Sequence, residues 1–226
     1  MKGQLQLWRL AAVATAGHRF WLLPLLPLLW LVLSALMVLV GFDTPYGPVS
    51  AQVELIGFPL TMLAVFLGLR VIAGEVDGRT LEIAYTVPGG CERVWWAKLV
   101  GAWCILLVAL ALLGIATWIF FTRYSPWALY GALQGATFYL VFAMAMAALL
   151  RSEVAGAMAT AAVLAFNMLI QGAPVSPMWN PDAQSQDPTE LLARTLQNRV
   201  GVALAIAAIL ALAFMRAGRR ERMLGG

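Results

Sequence analysis

Apolar runs long enough to cross a membrane recur six times along the 226 residues of this chain, and no other sequence feature limits its fold as tightly. The first, Phe20 to Gly41, is uncharged throughout; as a helix it would measure roughly 33 Å, enough for a hydrocarbon core of about 30 Å. The others run over residues 53–74, 99–121, 126–150, 154–171 and 196–215. Inside lipid every backbone N–H and C=O must be satisfied within the protein, so such runs predict helices. The expected fold is all-α, a polytopic membrane domain over residues 1–226 with six spans. With 62% hydrophobic and only 12% charged residues, the chain lacks the polar surface that a soluble fold of this size needs. Pro24 and Pro27 are expected to kink the first span, which is too long and too apolar for a signal peptide and reads as retained.

The basic residues orient these spans. With the N-terminus inside, the cytoplasmic segments hold Lys2, Arg9, Arg19, Arg70, Arg79, Arg93, Lys98, Arg151, Arg216, Arg219, Arg220 and Arg222, against Arg123, Arg194 and Arg199 outside. This asymmetry predicts that both termini are cytoplasmic. The scattered placement of the basic residues offers no stripe for nucleic acid. A preference for Arg over Lys, with abundant Ala, Leu and Gly, points to a GC-rich bacterial genome and so to a bacterial cytoplasmic membrane. Trp95, Trp96, Trp127 and Tyr130 occupy expected interfacial belt positions, and Gly131/Gly135 and Gly156/Thr160 are small-residue pairs suited to close helix packing. A disulfide between Cys91, in a charged connection, and Cys104, in an apolar run, is not expected.

Three segments are not spans. Residues 1–19 read either as an amphipathic interfacial helix or as a disordered leader. Residues 75–98 form the most polar stretch, broken by Gly78 and by Pro88-Gly89-Gly90, with room between for one short helix, Arg79 to Thr86. Outside, the Pro-rich loop 172–195 contains Asp187-Pro188-Thr189-Glu190, a helix start with an acidic cap and Pro at the first position, so a short external helix is expected before span six.

Missing chemistry narrows the function. His18 is the single histidine, which removes His-based metal sites and Ser-His triads, and no cofactor or metal is expected on this chain. The two lysines are followed by Gly3 and Leu99, so neither completes the Gly-Lys-Ser/Thr cradle for nucleotide phosphates. Neither catalysis nor ATP hydrolysis is expected of the chain itself. No charged residue falls near mid-span, where an ion-coupled carrier usually keeps one.

The segment from Ala73 to Gly90 (Ala-Gly-Glu-Val-Asp-Gly-Arg-Thr-Leu-Glu-Ile-Ala-Tyr-Thr-Val-Pro-Gly-Gly), with Arg93 and Lys98-Leu99-Val100-Gly101, resembles ABC-2-type ABC transporter permeases. Arg79 and Val87 interrupt the family's pattern, whereas the six-span layout, N-terminal surface helix, external loop and basic tail agree with it. The resemblance implies a membrane subunit that pairs with a second permease copy or homologue. It also implies two cytosolic P-loop ATPase subunits that hold ATP and Mg. It places the coupling helix between spans two and three, with Glu75, Arg79, Thr80, Leu81, Glu82 and Tyr85 as ATPase-coupling residues. Spans one, two and five then line a substrate path, with Ser34, Phe58, Thr61, Met62, Asn167 and Gln171 as candidates. The scarcity of charge within the spans points to an amphiphilic or hydrophobic cargo. A permease of the haem-export type and an ion-coupled secondary carrier remain open readings.

The orientation has a direct test. On a chain carrying Cys91→Ser and Cys104→Ser, Ser185→Cys is expected to react with an impermeant maleimide in intact cells, and Arg222→Cys only after permeabilisation.

Overall fold

The computed structural model describes residues 20–77, 90–184 and 187–217. The N-terminal interfacial segment, the coupling residues Arg79, Thr80, Leu81, Glu82 and Tyr85, and the basic tail from residue 218 onward lie outside these. All the regular structure described is helical, and five helices are long and apolar enough to cross a membrane.

The first apolar run begins as a 3₁₀ turn, Phe20–Leu25, and continues as α1, Leu26–Val40. Both prolines fall at the start of this run, where it changes from a 3₁₀ turn to α-helix. Pro24 lies in the 3₁₀ turn and Pro27 in the first turn of α1, where the missing N–H has no intrahelical acceptor to lose. Gly41 closes α1 with φ of 81°, a left-handed cap that costs glycine little.

The second crossing begins at Pro48, five residues before the expected start. One helical turn, Pro48–Ser50, leads into a π-helical turn, Ala51–Gly57, and then α2, Phe58–Asp77. Pro59 accounts for the wide turn. Its ring would strike a carbonyl in a regular helix, and it brings no N–H. The N–H of Phe58 bonds to Val53 O instead of Glu54 O, and Pro59 cannot serve Glu54 O in its place. The Trp30 indole N–H of α1 donates to that carbonyl at 2.9 Å. A π-bulge in the second helix is thus closed by a side chain of the first.

Helix α3, Gly90–Phe120, also starts earlier than the expected 99. The polar stretch 75–98 is therefore mostly helix at its ends, and only residues 78–89 remain between α2 and α3. Helix α4, Pro126–Leu150, matches expectation, with Ser125 capping Trp127 N. A two-residue turn follows, with Arg151 in the left-handed region and Ser152 capping Ala155 N of α5, Glu153–Leu169. Helix α6, Pro188–Ala217, runs without a break through the expected short external helix and span six, so these are one element.

Helices α2 and α4 form the centre. Their approach is set by glycine: a Cβ on Gly68 would collide with the carbonyl of Leu140, and one on Gly131 with the side chain of Gln52. Gly156 of α5 meets Ala147 of α4 in the same way, with Thr160 fully buried beside it. The small-residue pairs therefore serve packing within the chain. Helix α1 rests on α2 and α3, and α5 and α6 lie on α4. The ends sort clearly. Arg70, Glu75, Lys98, Glu153 and Phe214 lie at one end, joined by the Arg70–Glu153 and Lys98–Glu75 pairs and by stacking of Trp96 on Phe214. Tyr46, Val49, Phe121, Asn180 and Arg199 mark the other. Trp95 is fully buried and is not a belt residue; Trp96, Trp127 and Tyr130 remain exposed.

Close approach of α2 to α4 should be sensitive to side-chain volume. Gly68→Val is expected to destabilise the chain by about 1–3 kcal/mol in a detergent melt. Gly172→Val, with nothing within 4 Å of its Cβ, should leave the melt unchanged.

Candidate functional site

At the basic end, the last turn of α2 and the third turn of α3 are tied by charge. Lys98 Nζ sits 2.7 Å from Glu75 Oε1, and Trp95 Nε1 donates to Glu75 Oε2 at 2.9 Å. All three side chains are buried, with Glu75 and Lys98 flanked by Ile72, Leu99 and Cys91 in sequence and core. A buried carboxylate is tolerated only when its lone pairs are used, and here each oxygen has a donor. Glu75, expected among the coupling residues, is buried here and ties the last turn of α2 to α3 just before segment 78–89. Beside this clamp, Arg70 pairs loosely with Glu153 of α5 at 3.9 Å and lies over the Phe66 ring.

The opposite end is stoppered by the loop after α5. Residues Ser176 to Asn180 enter the bundle, with Ser176, Met178, Trp179 and Asn180 buried. Amides tie this plug to the second crossing and to α6. Gln52 Nε2 donates to Trp179 O at 3.0 Å, Asn180 Nδ2 to Val49 O at 2.8 Å, and Asn198 Nδ2 to Pro174 O and Ser176 O at 2.7 and 2.8 Å. Gly135 of α4 leaves room for the Pro177 carbonyl. Next to it, Gln134 and Arg199 exchange hydrogen bonds: Gln134 Nε2 to Arg199 O, and Arg199 Nη1 to Gln134 Oε1. The seal is incomplete in its polar pairing. Gln52 Oε1, Trp179 Nε1 and Asn198 Oδ1 at the plug, like Arg216 Nε at the other end, are buried without a hydrogen-bond partner among the described residues. Each such group costs about 1–3 kcal/mol.

Two concavities open beside α2. A groove of about 290 Å³ between α1 and α2 is walled by Leu26, Trp30, Phe58, Met62 and Phe66. A more polar hollow of about 230 Å³ lies at the plugged end, bounded by Ser50, Glu54, Gln171, Asn180 and Gln184. Just outside, Tyr46 donates to Asp43 at 2.7 Å; that hydrogen bond raises the phenol above its ordinary range and lowers the carboxyl below its own.

The six path residues expected from sequence do not share one wall. Phe58 and Met62 line the groove, and Gln171 lines the hollow. Ser34 is buried next to Tyr46. Thr61 is buried toward α4, near Gly131 and Met178, and Asn167 is buried beside Tyr139. Thr61 and Asn167 are internal because α2 and α5 turn these polar positions toward α4, and Ser34 because α1 turns it toward Tyr46. Trp30, Glu54 and Phe66 were not anticipated. Phe66 continues the four-residue spacing from Phe58 and Met62, whereas nothing local to Trp30 signals its bond to Glu54.

No protein-family model matches the chain, and comparisons with curated proteins and with solved structures found no match.

The clamp should respond unequally to single and paired changes. Lys98→Met leaves Glu75 buried without its cation and is expected to cost about 3–5 kcal/mol in a detergent melt. Adding Glu75→Gln should recover much of that loss.

Proposed function

We propose that this chain is the membrane-spanning permease subunit of an ABC-2-type ABC transporter, moved by separate cytosolic ATPases. The observation that carries the reading is the buried Glu75–Lys98–Trp95 clamp. A force applied to residues 78–89 would not be absorbed by local bending, because the clamp makes α2 and α3 move together. From α2 it would pass directly to α4 across the glycine contact at Gly68.

Six crossings fit the packing. Helix α5 has 17 residues, about 26 Å. It nevertheless runs from Glu153, level with Arg70, to the Gln171 hollow, level with Glu54, and so covers the same depth as the corresponding part of α2. With the clamped end cytoplasmic, as the basic residues favour, the plug faces outward. The contrast between the ends supports alternating access. The inner end is held by a buried ion pair, whereas the outer end is held by amide side chains on backbone carbonyls. ATP and Mg bind to two partner P-loop ATPases whose closure is transmitted through the segment 78–89, with a second permease copy or homologue completing the pathway. ATP drives this cycle only through its differential affinity for the two arrangements. The cargo is amphiphilic or hydrophobic and leaves outward, and the membrane is the bacterial cytoplasmic one.

Co-expression with a neighbouring P-loop ATPase gene and purification in detergent should yield a complex. Glu82→Arg is expected to weaken that complex or separate ATP hydrolysis from transport, with the melt of the permease unchanged. A complex whose coupled activity is indifferent to both Glu82→Arg and Arg79→Glu would refute the reading.

A further inference from the structure

Helix α2 is largely covered, but one inclined row of side chains at four-residue spacing stays open along it: Glu54, Phe58, Met62, Phe66 and Arg70. Met62 and Phe66 are 41% and 42% exposed, and Glu54 is exposed as well. Chemically the row is asymmetric. Its inner terminus, Arg70, is answered by Glu153 and covers Phe66. Its outer terminus, Glu54, enters none of the ion pairs or side-chain hydrogen bonds among the described residues. The nearest described charge acting on it is another carboxylate, Asp43. Of the basic residues at that end, Arg194 and Arg199 are engaged with Glu190 and Gln134, and Arg123 is exposed on the connection from α3 to α4 and does not act on Glu54.

Between the termini lies the aromatic groove. Trp30 stands at the level of Glu54, held by its bond to the Glu54 carbonyl, and its ring lies 4.8 Å from that of Phe58. A carboxylate without a cation, one helical turn before Phe58 and with Trp30 of α1 bonded to its backbone carbonyl, gives a cation both a counter-charge and aromatic surface. Met62 and Phe66 then offer apolar wall to whatever is attached to that cation.

We infer that the groove between α1 and α2 binds a lipophilic organic cation, with its charged centre at Glu54 and its apolar body along Phe58, Met62 and Phe66. This deepens the permease reading by naming the charge class of its cargo, and it rests on that reading for the word cargo. An anionic amphiphile would meet Glu54 and Asp43 together and be repelled. Glu54 itself borders the adjoining polar hollow, one turn before Phe58 on the same row, so the charged centre would sit at the outer mouth of the groove.

The test is equilibrium dialysis of the full chain in phosphatidylcholine nanodiscs, with empty nanodiscs subtracted. Tetraphenylphosphonium and tetraphenylborate, alike in size and opposite in charge, are the probes. Saturable binding is expected for the cation and none for the anion. Glu54→Gln should weaken cation binding about tenfold, and Met62→Ala should weaken it several-fold, while circular dichroism and gel filtration stay unchanged. Cation binding that is as tight in Glu54→Gln as in the parent, or saturable borate binding of equal affinity, would overturn the proposal. No ATPase is needed for this assay. Glu54-dependent cation binding in a chain that docks no ATPase would sink the permease reading alone. An ATPase complex with no Glu54-dependent binding would sink the cation site alone.

Discussion

The contact between α2 and α4 is close enough that backbone, rather than side chain, sets the distance. Gly68 lies against the Leu140 carbonyl, and further toward the plug Gly131 receives the Gln52 side chain. Within lipid there is no hydrophobic drive to push helices together, because the hydrocarbon outside is as apolar as the core. Association then depends on dispersion over well-fitted surfaces and on a few polar bonds, and glycine maximises the first. The other helices arrange themselves round this pair. Helix α5 repeats the device with Gly156 on Ala147, and α1, which lacks such a contact, leaves a groove.

That central pair ends differently on its two sides. Toward segment 78–89, the Glu75–Lys98 bridge with Trp95 uses both carboxylate oxygens and is buried. On the far side, the plug is held by amide side chains that satisfy backbone carbonyls of Val49, Pro174, Ser176 and Trp179 but leave several of their own atoms unpaired. Backbone without secondary structure survives at membrane depth only when protein surrounds it, which is the condition the buried residues Ser176 to Asn180 meet. The two ends of the bundle are thus closed by different chemistry, an ion pair at one and amides on backbone carbonyls at the other.

The π-turn shows how one residue's missing donor spreads. Pro59 removes an N–H, the turn before it widens, the Glu54 carbonyl loses its helical partner, and Trp30 of another helix supplies one. The outcome fixes α1 on α2 at a single depth and lines a groove with aromatic rings. A proline in an apolar run is easy to see in a sequence. Its repair by a tryptophan twenty-four residues before the orphaned Glu54 carbonyl is a long-range event that no local pattern encodes.

Much of the architecture was present in the order of residues. Apolar runs of sufficient length can only be helices in lipid, so the all-α class followed from hydropathy alone. The caps at Ser125 and Gly41 and the start at Pro188 are likewise local chemistry. Boundaries were less readable where polar residues lie within helices. Glu92, Arg93 and Lys98 look like loop, yet they occupy the first turns of α3 because Lys98 has a buried carboxylate to meet. Which face of each helix turns inward was decided only by the fold. Apolar residues surround these helices on all sides, so hydrophobicity does not distinguish lipid from core. The positions of glycine and of paired polar groups make that distinction, and those pairs, Glu75 with Lys98, Gln52 with Trp179 and Trp30 with Glu54, form only once distant parts of the chain have met.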